Sequence, residues 1–213
     1  METVSRRNDV LGVILAGGQG RRMGGADKAL VPLAGRPLVA HVAERFAPQV
    51  GRLVLSANGD PARFAGLGLP VVADPFAENV GPLGGLASGL LHAATLDPPP
   101  RFVATVAVDT PGLPLDLVAR LRAAVPDDGE TLAVARSADR IHPVAALHPC
   151  GEAAELLAGL ADGTIRRVMT WIESRPCVVV DFALVEGRDP FANLNTRDDL
   201  AAAEAHVAGC GRA

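Results

Sequence analysis

Short apolar runs rich in Val, Ile and Leu alternate with longer amphipathic stretches along most of this chain. Such runs are typical of strands buried on both faces, and the stretches between them are long enough for roughly two to four helical turns. Strands separated by helices predict βαβ units, and therefore an α/β fold with a mostly parallel sheet and helices on both faces. The predicted strands are 10–16, 53–55, 71–73, 102–108, 132–135 and 178–180, and the predicted helices are 37–48, 84–94, 115–125, 152–161 and 165–174.

The chain has 213 residues, a length at which one domain can bury a core without disulfides or structural metal. We find no repeat of fixed period and no linker long enough to separate two domains, so residues 1–213 are predicted to form a single domain. Segment 140–148 follows strand 132–135 after a short polar turn, and we predict another strand there, with an antiparallel orientation open. Near the C-terminus, Thr196 precedes Asp199 by three residues, a variant of the capping box that predicts the start of a helix.

Composition excludes several functional classes. The 20 basic and 24 acidic residues give a net charge of −4, and six Phe and one Trp provide few faces on which bases could stack, so we expect no nucleic-acid partner. No apolar run is long enough to span a membrane, so we expect no transmembrane segment. The three cysteines include no CxxC pair, which argues against zinc and suits the reducing cytoplasm. Arg6, Arg7 and the apolar run 10–16 superficially resemble a signal peptide, but Asp9 and the basic glycine loop that follows favour phosphate chemistry.

A glycine-rich loop carries the strongest local signal. It spans residues 15–28, directly after the first predicted strand, and contains five glycines together with Arg21, Arg22 and Lys28. A dinucleotide fingerprint is excluded because its third glycine would fall on Met23, and a P-loop is excluded because Ala26 and Asp27 stand where Lys and Ser or Thr are needed. Exposed backbone N–H groups surrounded by cations suit a triphosphate whose departing pyrophosphate must be neutralised.

This loop, with its Gly-Gly-x-x-Arg-Arg-Met-Gly-Gly-x-Asp-Lys pattern, resembles the signature of nucleotidyltransferases with a Rossmann-like fold, and most closely that of the molybdenum cofactor guanylyltransferases. Further resemblances follow in the same order along almost the whole chain. They are Asp74, Gly81-Pro82-Leu83-Gly84-Gly85, Asp109-Thr110-Pro111, His142-Pro143, Arg166-Arg167-Val168-Met169 and Phe191-Ala192-Asn193-Leu194-Asn195-Thr196. The resemblance implies a single Rossmann-like nucleotidyltransferase domain with a nucleotide-binding half, about 10–110, and an acceptor- or pterin-binding half, about 111–208.

The nucleotide half contains most of the predicted site. Asp109 ends a predicted strand, and in open parallel sheets the ligand crevice lies beyond the carboxyl ends of the strands. A carboxylate there suits Mg²⁺, which takes oxygen ligands and works with one or two carboxylates and phosphate oxygens. The resemblance gives Asp109 this metal role and, with Arg22 and Lys28, a catalytic one. The predicted nucleotide-binding residues are Leu15, Ala16, Gly17, Gly18, Gly20, Lys28, Ser56, Asn58, Asp74, Gly81, Pro82, Leu83 and Asp109.

Several of these residues also have structural interpretations. Asp109 could cap the next helix, Asp74 precedes a proline and could form a turn, and segment 81–85 could be a simple loop. Relatives often carry Asn where Ser56 aligns, so Asn58 is an alternative contact for the base.

The acceptor half is predicted to bind the pterin through His142, Arg166, Arg167, Asn193 and Asn195. Arg166 and Arg167 fall on a predicted helical stretch, where neighbouring side chains point about 100° apart, so the two would not meet one phosphate in the same way. Asn193 and Asn195 point the same way if their segment is extended, and their amides could pair with the ring's donors and acceptors. The competing interpretations are a solvated helix face for the arginines and a structural role for His142.

The resemblance therefore implies transfer of GMP from GTP to the terminal phosphate of molybdenum-molybdopterin, with Mg²⁺ as cofactor and pyrophosphate as the second product. It also implies transient contact with cofactor-insertion proteins or molybdoenzymes. Two alternatives stay open: a related nucleotidyltransferase that uses CTP or another acceptor, and a non-catalytic GTP-binding carrier of the cofactor.

Overall fold

The computed structural model describes residues 8–17, 27–76 and 80–210. Its strands are β1 (Val10–Leu15), β2 (Pro32–Leu33), β3 (Arg36–Pro37), β4 (Arg52–Ser56), β5 (Val71–Val72), β6 (Phe102–Ala107), β7 (Leu132–Ser137), β8 (Arg140–Pro149) and β9 (Cys177–Asp181). Its helices are α1 (Leu38–Phe46), α2 (Pro82–Ala93), α3 (Leu117–Ala124), α4 (Ala153–Ala161), α5 (Val168–Glu173) and α6 (Arg197–Cys210). Short 3₁₀ helices occupy Lys28–Leu30, Ala47–Gln49, Pro61–Leu67 and Cys150–Glu152.

Seven of the strands form one sheet in the order β5-β4-β1-β6-β8-β7-β9. β1 pairs in parallel with both β4 and β6, and β4 pairs in parallel with β5. β8 pairs antiparallel with both of its neighbours, β6 and β7, while β9 runs parallel to β7. The predicted mostly parallel α/β sheet is confirmed, and the antiparallel orientation left open for segment 140–148 is the one adopted.

Helices cover both faces of this sheet. Along β1, Val10 and Ile14 pack on one face with α1 and α3, whereas Leu11 and Val13 pack on the other face with α2 and α4. Alternate residues of a strand point to opposite faces, so a continuous apolar run supplies both cores. The short predicted strands thus formed because burial on both sides stabilises Val, Ile and Leu in extended backbone.

The C-terminal helix packs against the small β2–β3 hairpin. Leu33, Leu38 and Leu194 form a separate buried cluster, against which Leu200 and Ala203 of α6 pack. The predicted cap is confirmed, because the Asp199 backbone N–H donates to Thr196 Oγ1 at 3.1 Å and the Thr196 N–H donates to Asp199 Oδ2 at 2.8 Å. No helix in the described part of the chain is long and apolar enough to cross a membrane.

One helix boundary was predicted wrongly. The helical stretch expected over 165–174 begins at Val168, and Arg167 precedes it in an extended conformation (φ −130°, ψ 138°). Arg166 and Arg167 therefore lie before the first turn of α5 and not on its surface. The 100° angle expected between their side chains does not apply to an extended backbone, where successive side chains point to opposite sides.

Candidate active site

The carboxyl ends of β1, β4 and β6 meet at one edge of the sheet, where they border a cavity of about 370 Å³. Ten of the predicted site residues lie around this cavity, at the position expected for a ligand in an open parallel sheet. They are Leu15, Gly17, Lys28, Ser56, Asn58, Asp74, Gly81, Pro82, Asp109 and Asn193. Ala57, Gly85, Ala107, Val108 and Val144 complete the lining. The tertiary structure thus brings together residues spread over most of the sequence.

Lys28 and Asp109 form the charged centre of this cavity. Lys28 Nζ lies 2.5 Å from Asp109 Oδ2 and 2.6 Å from Asn195 Oδ1. The two charged side chains are only 12% and 13% exposed. The 3₁₀ turn Lys28–Leu30 sets the lysine, and its cap Asp27 accepts the Ala29 N–H at 3.1 Å. This arrangement holds a cation beside a carboxylate where little solvent screens either charge.

The second Asp109 oxygen has a different environment. Asp109 Oδ1 is buried and has no hydrogen-bond partner among the described residues. The Asp109 backbone carbonyl accepts the Leu194 N–H at 2.9 Å, which fixes the end of β6 against segment 193–196. A buried carboxylate oxygen without a partner is costly unless a ligand or ion satisfies it. Asp109 can therefore accept a cation in addition to Lys28.

Asp74 also lines this cavity and lies against the first turn of α2. A side chain at Gly84 would place its Cβ 1.9 Å from Asp74 Oδ2, so only glycine leaves room for this carboxylate. Asn58 joins the two strand ends, because its Oδ1 accepts the Asp74 N–H at 2.8 Å. Burial raises the pKa of Asp74 above its ordinary value, against the smaller opposing effect of hydrogen bonds from Phe76 and Asn58. The competing turn interpretation is also satisfied, since Asp74 Oδ1 accepts the Phe76 N–H at 3.1 Å.

Ser56 is more deeply buried than a contact with a nucleotide base requires. It is 4% exposed, and its hydroxyl accepts a 3.2 Å bond from Ser88 Oγ on α2. A Cβ at Gly85 would lie 2.9 Å from Ser56 Oγ and 2.5 Å from Leu15 Cδ2, so Gly85 permits close packing of α2 on the strand ends. Asn58 is exposed at the same strand end and is the more accessible of the two predicted base contacts.

A second cavity, of about 570 Å³, adjoins the first. Its lining contains both predicted arginines and is Val80, Gly81, Pro82, Leu83, Pro143, Arg166, Arg167, Val168 and Met169. Gly81 and Pro82 belong to both cavities, so the start of α2 forms the wall that they share. A ligand in each cavity would meet its neighbour at this wall.

The remaining predicted residues are distributed as follows. Leu83 lines the second cavity and not the first, while Ala16 is buried and donates its N–H to the Ser56 carbonyl at 2.9 Å. Asn193 lines the first cavity, and Asn195 contacts Lys28. Predictions for Gly18, Gly20 and Arg22 concern positions outside the described residues.

His142 belongs to a polar cluster outside both cavity linings. Its Nε2 lies 2.7 Å from Ser137 Oγ and 3.6 Å from an Asp189 oxygen, and its ring stacks on Phe191 with centroids 4.7 Å apart. Burial lowers the pKa of His142, partly opposed by Asp189. These contacts agree with the structural interpretation, since they join β8 to β7 and to segment 189–191.

Sequence reasoning missed Arg63. Its Nε donates to Asp27 Oδ2 at 2.8 Å, while its Nη2 donates to the Asn58 carbonyl and its Nη1 to the Asp60 carbonyl. The guanidinium thereby ties the residue before Lys28 to the end of β4. No local pattern around Arg63 signals this contact, because it depends on how the 3₁₀ turn 61–67 packs beside the loop.

A lysine–aspartate pair at the carboxyl edge of a parallel sheet, with a second basic cavity beside it, defines a nucleotidyltransferase-type α/β protein. The MobA-like NTP transferase domain matches residues 12–176. A molybdenum cofactor guanylyltransferase from Mesorhizobium japonicum is 49% identical over 199 residues, which is 92% of this chain and 95% of the relative. Another from Cupriavidus taiwanensis is 41% identical over 204 residues, 93% of this chain and 98% of the relative. The chain belongs to the MobA-like NTP transferase family and, within it, to the molybdenum cofactor guanylyltransferases.

Solved structures agree with this assignment. Molybdopterin-guanine dinucleotide biosynthesis protein A from Archaeoglobus fulgidus superposes with a TM-score of 0.71 at 25% identity, covering 94% of this chain and 99% of that chain. A 4-diphosphocytidyl-2C-methyl-D-erythritol synthase from Anaerococcus prevotii shares the fold with a TM-score of 0.70 at 14% identity. The predicted Rossmann-like nucleotidyltransferase fold and the family resemblance are both confirmed.

Proposed function

We propose that this protein transfers GMP from GTP to the terminal phosphate of molybdenum-molybdopterin, with release of pyrophosphate. The observation that carries the proposal is the pair of adjoining cavities: one contains the Lys28–Asp109 pair, the other contains Arg166 and Arg167, and both share Gly81 and Pro82. Two anionic substrates could bind side by side there. The names of the relatives support the base and the acceptor.

In the proposed reaction, an oxygen of the pterin's terminal phosphate attacks the α-phosphorus of GTP. The new bond joins that oxygen to the α-phosphorus, and the bond from the α-phosphorus to the bridging oxygen of the β-phosphate breaks. Negative charge builds up on the departing pyrophosphate. Lys28 lines the cavity and would neutralise that charge. No covalent enzyme intermediate is needed, because binding both phosphates at the shared wall supplies the proximity.

We further propose that Asp109 binds Mg²⁺ together with the substrate phosphates. Its unpartnered, buried Oδ1 fits such a cation. Among the described residues no group of three or more His, Cys, Asp or Glu could hold a metal, which suits an ion that is completed by phosphate and water oxygens. When bound, Mg²⁺ would neutralise phosphate charge. Lys28 keeps its contacts with Asp109 and Asn195, and the third N–H of its ammonium group can donate to the triphosphate.

The acceptor would lie in the second cavity. Arg166 and Arg167 are exposed there and can pair with its phosphate, and Val168 and Met169 offer apolar contact. Asn193 lies on the wall of the first cavity, where its amide could reach either substrate. We also propose a cytoplasmic location, consistent with free Cys150 and Cys177, and transient contact with the proteins that receive the cofactor.

The deciding experiment measures pyrophosphate release with Mg²⁺ and each of GTP, CTP, UTP and ATP, with and without molybdenum-loaded pterin. Release only with GTP and the pterin together is the expected result. Release with CTP or with another acceptor would overturn the substrate assignment but keep the nucleotidyl-transfer chemistry. Tight GTP binding without release under any condition would instead favour a non-catalytic carrier.

A further inference from the structure

The backbone of segment 194–196 is hydrogen-bonded to Asp109 and to α6. The Leu194 N–H donates to the Asp109 carbonyl at 2.9 Å, and the N–H groups of Asn195 and Thr196 both donate to Asp199 Oδ2 at 2.8 Å. Three consecutive backbone donors are therefore fixed, one by a catalytic residue and two by a single carboxylate oxygen. The Asn195 side chain leaves this fixed backbone and contacts Lys28 at 2.6 Å.

A helix cap by itself explains only part of this geometry. In a capping box, the side chain at the third helical position accepts the N–H of the cap residue, which here is Thr196. The bond from the Asn195 N–H lies outside that pattern, because Asn195 precedes the cap. Asp199 thus fixes the residue that holds Lys28, in addition to closing the end of α6.

The helix that carries Asp199 is itself anchored to the β2–β3 hairpin. Glu204 Oε1 accepts the Ala34 N–H at 3.0 Å, and Leu200 packs against the buried cluster that contains Leu33. The β2–β3 hairpin lies a few residues after Lys28 in the chain. α6 is therefore bonded to Asn195 through Asp199 and to the hairpin that follows Lys28 in the chain.

Hydrogen bonds from Asn195, and then from Thr196, hold the pKa of Asp199 below its ordinary value. The carboxylate therefore stays ionised, and stays an acceptor for both N–H groups, at the pH values at which the enzyme would be assayed.

We propose that Asp199 is a positioning residue for Lys28, acting through the backbone and the amide of Asn195. This inference rests on the proposed function, in which Lys28 binds the triphosphate. Without Asp199, Asn195 is free to move and the Lys28 ammonium loses one of the two contacts that set its place beside Asp109. Nucleoside contacts lie on other elements and are unaffected.

The test compares Asp199→Ala with Thr196→Ala, which removes the other half of the same cap but not the bond to the Asn195 N–H. For pyrophosphate release from GTP and the pterin, Asp199→Ala is expected to lower kcat about tenfold, the scale expected for a misplaced group, with KM for GTP changed by no more than about twofold. Thr196→Ala should leave kcat within about twofold of the unmutated protein. Asp199→Asn, which keeps an oxygen for both N–H groups, should restore most of the rate.

A double-mutant cycle separates positioning from general loosening of the helix. If Asp199 acts through Asn195, adding Asp199→Ala to Asn195→Ala should cause no further loss of kcat. Full additivity of the two changes, or equal losses in Asp199→Ala and Thr196→Ala, would overturn the inference. Inactivity of the unmutated protein with GTP and the pterin would count against the proposed function, not against the contact geometry. Thermal unfolding of each variant verifies that it is folded.

Discussion

The two cavities that meet at Gly81 and Pro82 differ in how their polar groups are held. In the first cavity, two polar side chains are already bonded within the protein: Lys28 contacts Asp109, and Asn58 contacts the backbone of Asp74. In the second cavity, Arg166 and Arg167 are exposed and precede a short helix. If the first cavity binds the nucleotide and the second the acceptor, as we propose, the nucleotide side is largely preorganised, whereas the acceptor side supplies charge whose geometry the ligand completes.

This difference predicts whether a substitution changes kcat or KM. A group fixed in advance costs no reorganisation when charge develops, so its removal lowers kcat. An exposed arginine side chain becomes ordered only when it pairs with its ligand, so its contribution appears in binding. Its removal is therefore expected to raise KM for the proposed acceptor. The following changes test this division.

The largest effect is expected for Asp109→Asn, which keeps the shape of the side chain and removes its charge. Loss of the carboxylate removes the partner of Lys28 and the oxygen proposed for Mg²⁺, and we expect pyrophosphate release to fall by about a thousandfold, at the upper end for a single electrostatic group. Asp116→Asn, a change at an exposed aspartate that pairs weakly with Arg120 at 3.9 Å, is the control. Unchanged activity in Asp109→Asn would refute the metal and catalytic assignments.

Lys28→Ala should lower the rate about a hundredfold, because the leaving pyrophosphate loses a cation in a poorly solvated position. Binding of GTP should weaken while binding of guanosine stays the same, since the lysine is proposed to contact the phosphates and not the base. Isothermal titration with both ligands checks this result. Equal weakening for GTP and guanosine would be incompatible with a phosphate role.

Arg167→Ala and Arg166→Ala should each raise KM for the molybdenum-loaded pterin about tenfold, the value of one charge-assisted contact, and leave KM for GTP unchanged. Steady-state kinetics with each substrate varied in turn measures the split. Arg36→Ala removes an exposed arginine that pairs with Glu44 on the surface and serves as control. A higher KM for GTP with an unchanged KM for the pterin would reverse the assignment of the two cavities.

The smallest expected effect on stability comes from Asp74→Asn. The pKa of Asp74 is raised by burial, so the folded protein binds this proton more tightly than the unfolded chain does, and ionisation destabilises the fold as pH rises through the folded pKa. Asp74→Asn should therefore unfold at the same or a higher temperature than the unmutated protein at pH 7.5. The difference in unfolding temperature should shrink below the ordinary aspartate pKa of 3.8.

The activity of Asp74→Asn tests separately whether this residue contacts the nucleotide. If Asp74 contacts the nucleotide as predicted, Asp74→Asn should lose activity while gaining or keeping stability at neutral pH. A variant that loses both would point to a purely structural role for the turn at Phe76.

Much of the fold was predictable from particular residues. The apolar runs predicted all but the two strands of the small hairpin, and the Thr196–Asp199 spacing predicted the start of α6, because strand burial and helix capping are local properties. The boundary of α5 was missed, since arginine is as compatible with a helix as with the non-helical backbone that Arg166 and Arg167 adopt. No local sequence pattern predicted the contacts of Arg63.

The candidate site divides in the same way. Glycines, cations and carboxylates placed after buried strands were enough to select Lys28, Asp109 and Asp74, because the ends of parallel strands must share an edge. The side-chain arrangement was beyond the sequence: Asn195, which is predicted to contact the pterin, also bonds to Lys28, 167 positions earlier in the chain.

By itself, the sequence determined the α/β class, the family and the edge of the sheet where the chemistry is proposed to occur, since each depends on periodicity and short motifs. That the two cavities share one wall at α2, and that Asp199 of α6 bonds to Asn195, which in turn contacts Lys28, could be learned from the tertiary structure alone. The physical reason is that hydrophobic patterning specifies which faces are buried, whereas contacts between distant loops depend on how those faces pack together.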